Sequence, residues 1–242
     1  MKITSIHNDN VKYWVSLKNK KIRDEERKFI VEGDHLIEEA RKNNLIEYII
    51  SCVDEDADFY VTKEIMEKIS DQKSISYNAA VVKFIPEDSV NGNVIILDNL
   101  QDPGNLGTII RSSVAFNIDT IIISDTSVDL YNPKVVRATE GMIFNLNIIR
   151  RNLEEVIPVL KNLGYKIVGT DVNEGIDVRN ISKENVAIII GSEGSGMSEN
   201  IKKLCDEFIN IKINKSCESL NAGVAASIIM YEVSHEWDDL YW

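Results

Sequence analysis

Five runs rich in β-branched residues, 94-VIILD-98, 120-TIIIS-124, 166-KIVGT-170, 186-VAIIIG-191 and 208-FINIKI-213, recur with helical intervals between them. They are apolar at consecutive positions rather than at alternate ones, so both faces of each strand need cover. The fold class that meets this requirement is α/β, a parallel sheet with helices on both faces. Ligands of such sheets collect outside the carboxyl ends of the strands, which makes the segments after these runs the places to look for chemistry.

Ahead of that series, 28-KFIVEG-33 reads as a strand and 34-DHLIEEARKN-43 as a helix with an Asp cap. A second strand, 45-LIEYIIS-51, and a Thr-capped helix, 62-TKEIMEKIS-70, follow before the turn-rich 86-PEDSVNGN-93. The expected division is a small α/β domain over residues 1–90 and a larger one over 91–242.

The longest apolar runs fall far short of the roughly 20 residues of a membrane span, and Met1-Lys2-Ile3-Thr4 opens no secretory signal, so the expected compartment is the cytoplasm. Cys52, Cys205 and Cys217 show no paired spacing, and neither a disulfide framework nor a metal site is expected. A net charge of -12 weighs against a nucleic-acid partner. Residues 1–30 nonetheless hold eight basic side chains against four acidic ones, and Lys18, Lys20, Lys21, Arg23 and Arg27 are the candidate RNA contacts there. A solvated helix face is the other reading of the same run.

Three clusters stand at strand ends. In 98-DNLQDPGNLGTIIRSS-113, Pro103-Gly104 reads as a turn and 108-TIIRSSVAF-116 as the helix after it. Asn105 and Arg111 are six residues apart, a spacing that does not stack them on one helix face, so they converge only if Asn105 lies in that turn. In 191-GSEGSGMSENI-201 the glycines stand in the reverse order of a dinucleotide fingerprint, and Glu193 either binds a ligand or caps the next helix. In 216-SCESLNAGVAASIIMYE-232 small residues begin a helix whose free amides point outward past 218-ESLN-221. Between the first two clusters, 131-YNPKVVRATEGMIF-144 offers Lys134, Arg137 and Thr139 in a polar turn and helix start.

In this order, the four stretches resemble the SpoU (TrmH-like) branch of the SPOUT superfamily, RNA 2'-O-ribose methyltransferases. DPGNLGTIIRSS is similar to the first motif of that family, IIGSEGSGM to the second and INIKINKSCESLNAGVAASIIMYE to the third, while 27-RKFIVEGDHLIEEA-40 resembles its small substrate-binding domain. The resemblance implies a carboxyl-terminal trefoil knot, S-adenosylmethionine as cofactor, and a homodimer in which residues near the first motif complete the partner's site. It assigns catalytic or ordering roles to Asn105, Arg111, Glu193, Ser219 and Asn221, and cofactor contacts to Gly191, Ile211, Leu220 and Thr139. No metal is implied. One departure stands out: the third motif usually carries a proline where this chain has Lys212, which puts a charge beside the expected adenosine pocket.

The resemblance implies methyl transfer to a ribose 2'-hydroxyl, with rRNA favoured over tRNA by the separate amino-terminal domain. Two other readings stay open: a non-catalytic RNA-binding or ribosome-assembly protein that keeps the fold, and a nucleotide-dependent dehydrogenase, against which the glycine order counts.

Overall fold

The structure, a computed structural model, describes residues 1–71, 76–172, 174–182 and 185–234. Two compact units divide the chain, one of residues 1–86 with 129–144, the other of 87–128 with 145–242.

The first unit runs β1 (Lys2–Ile3), α1 (Asp9–Ser16), α2 (Lys20–Glu26), β2 (Lys28–Glu32), α3 (Asp34–Lys42), β3 (Ile46–Ser51), β4 (Phe59–Val61), α4 (Lys63–Ile69) and β5 (Asn78–Lys83). Its sheet has the order β1-β4-β3-β5-β2 and is mixed, β5 running antiparallel to both β3 and β2. Thr62 caps α4 as expected, its side chain accepting from Ile65 N–H. The expected Asp cap of α3 is corrected: Gly33 is the N-cap, at φ +95° where glycine is favoured, and Asp34 is already helical, its carboxylate accepting from Asn78 Nδ2 instead. Trp14 is fully buried, donates its indole N–H to Tyr48 and packs edge-on against Phe59.

Residues 129–144, which the expected boundary near residue 90 leaves with the larger domain, take their contacts in this unit. Phe144 stacks on Phe29 and Tyr131 on Phe84, with ring centroids 6.2 Å and 3.8 Å apart. Arg23 closes the seam with a 2.5 Å ion pair to Asp129. Burying aromatic area of this size outweighs sequence adjacency in deciding where the segment belongs.

The second unit holds the series of apolar strands. It begins with β6 (Val94–Leu97), α5 (Pro103–Ala115) and β7 (Thr120–Ser124); α6 (Pro133–Ala138) lies in the segment just described. Then come β8 (Asn147–Arg151), α7 (Leu153–Asn162), β9 (Lys166–Thr170), β10 (Ile176–Asp177), β11 (Val186–Ile190), α8 (Glu199–Lys202), β12 (Glu207–Asn210) and α9 (Ala222–Val233). The sheet order is β10-β12-β9-β11-β6-β7-β8, and every pairing in it is parallel.

Strand alternation splits the apolar runs between two faces. Val94, Ile96, Ile122, Ala187 and Ile189 pack with α7 and α8 through Leu153, Ile157, Leu160 and Ile201. Their neighbours Ile95, Leu97, Ile121, Ile123 and Ile188 turn to the face of α5 and α9 and are as completely buried. At about 1.5–3 kcal/mol for each fully buried aliphatic side chain, these two layers are the main driving force for the unit.

Candidate active site

The cluster at the end of β6 is helical from Pro103 onward. Asp102 caps α5 by accepting from Asn105 N–H at 2.8 Å, and Pro103 occupies the first helical turn, where its missing N–H costs nothing. The expected turn at Pro103-Gly104 is therefore corrected to a helix start. Asn105 is in the first turn of the same helix as Arg111, and the two do not converge.

Asn105 points elsewhere, and its destination is the second cluster. Its Nδ2 donates to Glu193 Oε1 at 2.6 Å, with the asparagine buried. The loop after β11 that carries Glu193 folds back as a narrow hairpin, Ser192 and Gly196 exchanging backbone hydrogen bonds of 3.0 Å. Gly191 allows that closure, since a Cβ there would sit 2.3 Å from the Gly196 carbonyl carbon. The buried carboxylate of Asp98, at the end of β6, accepts from Ser198 N–H at 2.7 Å and pins the far side of the hairpin.

The third cluster closes on the first. Asn221 caps α9 by accepting from Val224 N–H. At Gly223 an added Cβ would meet Asn105 Oδ1 at 3.2 Å and Asn221 Oδ1 at 3.3 Å, so both side chains flank this glycine. Farther along, Ser112 and Ser227 share a 2.7 Å hydrogen bond, and Ser113 donates to Met230 Sδ. The small residues of α9 serve this close approach to α5.

Between the hairpin, β9, β12 and α9 lies a cavity of about 400 Å³. Thr170 and Asp171 at the end of β9, Asn210 at the end of β12, and Ser192, Glu193 and Ser195 of the hairpin supply its polar atoms. Ile190, Ile209, Ile211, Ile213, Leu220 and Ile229 supply the apolar wall. A cavity of this size, with apolar and polar sides in similar share, suits a nucleoside-sized ligand. The hairpin that forms one side brings Gly191, Gly194 and Gly196 to the cavity beside Ser192, Glu193 and Ser195, leaving room and backbone polar groups there, so the residues present fit S-adenosylmethionine.

Of the expected site residues, Gly191, Glu193, Ile211, Ser219 and Leu220 line the cavity, and Asn105 reaches it through Glu193. Asn221 stands at the start of α9 beside Asn105. Arg111 is exposed on the outer side of α5 and makes no hydrogen bond or ion pair among the described residues. Thr139 belongs to the first unit, where it is fully buried at the end of α6 and donates to Val136 O. Sequence reasoning passed over Thr170, Asp171 and Asn210, although the rule that ligands sit at the carboxyl ends of parallel strands points to them.

Lys212, the departure from the expected motif, does not enter the cavity. It lies between two wall residues, Ile211 and Ile213, but its ammonium is 3.2 Å from Asp177 Oδ2. The expected charge beside the pocket is thus carried away from it, toward Asp177, while the residues on either side line the cavity.

The candidate RNA contacts divide. Lys20 and Lys21 are exposed on α2 and pair with Asp24 and Glu25 at 3.5 and 3.8 Å, while Lys18 donates to Ser70 O and pairs with Asp71. Arg27 lies over the Phe84 ring, 4.7 Å from its centroid. Arg23 is corrected: it is 3% exposed, bonded to Leu17 O, Lys18 O and Asp129, and offers no guanidinium to a ligand. Among the described residues no helix is long and apolar enough to cross a membrane, and no group of three His, Cys, Asp or Glu is placed to hold a metal.

Residues 92–231 match the SpoU rRNA Methylase family, and residues 8–76 match the MRM3-like substrate binding domain. A Bacillus subtilis relative named 23S rRNA (guanosine(2553)-2'-O)-methyltransferase RlmP is 32% identical over 243 residues, spanning 96% of this chain and 98% of its own. The AdoMet-bound rRNA methyltransferase from Sinorhizobium meliloti superposes with a TM-score of 0.87 at 25% identity, over 96% of this chain and 97% of that one. The AdoMet complex of the SpoU methyltransferase AviRb from Streptomyces viridochromogenes, at 24% identity and TM-score 0.85 over 94% and 97% of the two chains, shares the fold.

Proposed function

The chain belongs to the SpoU rRNA methylase family, and on that premise we propose that it is an S-adenosylmethionine-dependent methyltransferase acting on a ribose 2'-hydroxyl of rRNA. The observation that carries this reading is one cavity drawing on three distant stretches, with Gly191 and Glu193 from the second motif and Ile211, Ser219 and Leu220 from the third, tied by Glu193 to Asn105 of the first.

When bound, S-adenosylmethionine supplies an electrophilic methyl group on a sulfonium centre. The apolar wall of Ile190, Ile209, Ile211 and Leu220 suits an adenine ring, and Asp171 and Asn210 suit ribose hydroxyls. Glu193, held by Asn105, sets the hairpin edge, and Ser219 orients groups at the opposite edge. A ribose 2'-hydroxyl is a poor nucleophile and loses its proton as it attacks, so the site must stabilise developing alkoxide charge. Arg111 is suited to that and to clamping the adjacent phosphate; a guanidinium stays protonated and does not take the proton itself.

Arg111 does this in a second subunit's site. Support for a homodimer comes from the packed pair α5 and α9, which leaves Arg111 of the first helix and Val224 and Tyr231 of the second exposed in the single chain. The segment between β12 and α9 returns to α5, and a trefoil threading of that return accounts for how a strand near one edge of the sheet is followed by a helix packed after β6. Residues 1–90 serve as the RNA-binding domain, with Lys20, Lys21 and Arg27 as its exposed basic side chains and Lys18, half-buried on Ser70 O and Asp71, adding its charge beside them. Thr139 orders the segment that carries it, and the reaction belongs to the cytoplasm.

The test is transfer of labelled methyl from S-adenosylmethionine to unmodified total RNA, with wild type and Arg111→Ala side by side. Label on an rRNA ribose with wild type only is the expected result. Cofactor binding without label on rRNA, tRNA or precursor particles overturns the reading in favour of a binding protein.

A further inference from the structure

Asp177 stands outside the cavity, yet it holds three of the pieces that surround it. As part of β10 it pairs in register with Asn210 of β12. The strand lies flush because Gly175, at φ +105°, leaves no Cβ to strike Phe208 O, which would be 2.4 Å away, and Asn210 Nδ2 donates to Gly175 O. Its carboxylate accepts from Arg179 Nε at 2.9 Å and Nη2 at 2.6 Å, while the Lys212 ammonium approaches at 3.2 Å. The turn Val178–Asn180 that it caps packs against α9, whose Ala222, Ala225 and Ile229 line the cavity.

The exposures are uneven. The Asp177 side chain is 6% exposed, whereas those of Arg179 and Lys212 are 62% and 73% exposed. A buried anion thus anchors two solvated cations, and one of them is on the segment whose neighbouring residues form the cavity wall. The Arg179 hydrogen bond, ahead of every other influence, holds the Asp177 carboxyl well below the usual carboxylate range, so it stays charged at any working pH. Salt, which screens the exposed cations, is the variable that acts on the pair.

We propose that Asp177 is a positioning residue for this cavity: through Lys212 it fixes the direction of residues 211–213, so that Ile211 and Ile213 form the wall against which the cofactor binds. Ile211 and Ile213 line the cavity while Lys212 between them does not, and a shift of one residue would send Lys212 inward and the isoleucines out. The inference rests on the reading of the cavity as the S-adenosylmethionine site, and it makes cofactor affinity sensitive to salt through one ion pair.

The test compares wild type with Asp177→Asn, Lys212→Met and Lys212→Arg. Lys212 is exposed, so its variants keep the fold even if Asp177→Asn does not. Two quantities are read: hydrogen exchange of the 209–213 amides in ligand-free protein, and S-adenosylhomocysteine affinity by calorimetry at about 50 and about 500 mM salt. Asp177→Asn and Lys212→Met are expected to exchange faster and to bind about fivefold more weakly at low salt, the modest size expected of a pair with exposed cations. Lys212→Arg restores both, and high salt weakens wild type but not Lys212→Met. Unchanged exchange in Lys212→Met, or faster exchange with unchanged affinity, overturns the proposal. If exchange responds as described but wild type binds no S-adenosylhomocysteine, the positioning of residues 211–213 by Asp177 stands and the reading of the cavity falls.

Discussion

Asn105 and Glu193, 88 residues apart in the chain, meet through a 2.6 Å hydrogen bond from Asn105 Nδ2 to Glu193 Oε1. The carboxylate sits on a glycine-rich hairpin, and the fold tethers it to the first turn of α5, beside the start of α9.

Asn105→Ala removes the tether and leaves the hairpin held by its own Ser192–Gly196 backbone pair and by Asp98. The expected outcome is a fall in kcat of about 10- to 100-fold, corresponding to a charge-assisted hydrogen bond of about 1.5–3 kcal/mol. Steady-state kinetics alongside cofactor titration checks it; an unchanged kcat contradicts the role.

Arg111 is solvent-exposed and unpaired among the described residues, so truncating it has no structural cost to the single chain. Arg111→Ala should lower methyl transfer by about 10²- to 10³-fold while leaving the melting temperature unmoved, and Arg111→Lys should not recover the activity, because an ammonium lacks the planar fork. Mixing Arg111→Ala with a Ser219→Ala variant offers a complementation assay: recovery of activity in the mixture is the sign of a site shared between subunits.

Gly191→Ala places a Cβ 2.3 Å from both the Gly196 carbonyl carbon and Met197 N, and neither backbone atom yields easily. Destabilisation of about 1–3 kcal/mol in denaturant unfolding, with loss of cofactor binding, is expected.

The basic segment gives opposite expectations for neighbours. Arg23→Met strands Asp129 opposite an apolar chain and should cost about 3–5 kcal/mol of stability with no specific effect on RNA affinity per folded molecule. Charge reversal of Lys18, Lys20 and Lys21 should lower RNA affinity and flatten its salt dependence, with Lys20 and Lys21 affecting stability by no more than about 0.5 kcal/mol each. Filter binding across a salt series separates the two classes.

The thiols should react unequally. Burial pushes the Cys205 thiol up to about 11 and raises that of Cys52, so both stay protonated, whereas Cys217 is exposed. Alkylation at about pH 8 followed by mass mapping should find Cys217 modified first.

Most of what is local was legible. Consecutive apolar positions in Val94–Leu97, Thr120–Ser124 and Val186–Ile190 announce strands covered on both faces, because such a pattern has no other place to hide its surface. The glycines of the hairpin and the small residues of α9 mark close approach for the same reason, since only a missing side chain permits it. Motif resemblance named Gly191, Glu193, Ile211, Ser219 and Leu220, which line the cavity; the local reading of Pro103-Gly104 as a turn gave way to a helix start, and the charge count set Arg23 beside Lys20 and Lys21 as though equally exposed.

Local pattern thus supplies the inventory: parallel strands, the loops at their carboxyl ends, and the residue types available there. Tertiary structure alone decided the pairings and the directions. The strand order, the return of α9 to α5 and the Asn105–Glu193 bond depend on contacts between distant segments, and their energies have no local signature. The outward turn of Lys212 and the inward turn of Arg23 depend on which acid, Asp177 or Asp129, the fold brings within reach. A side chain's face follows from the register of the whole element, and register is set by what the packed unit buries.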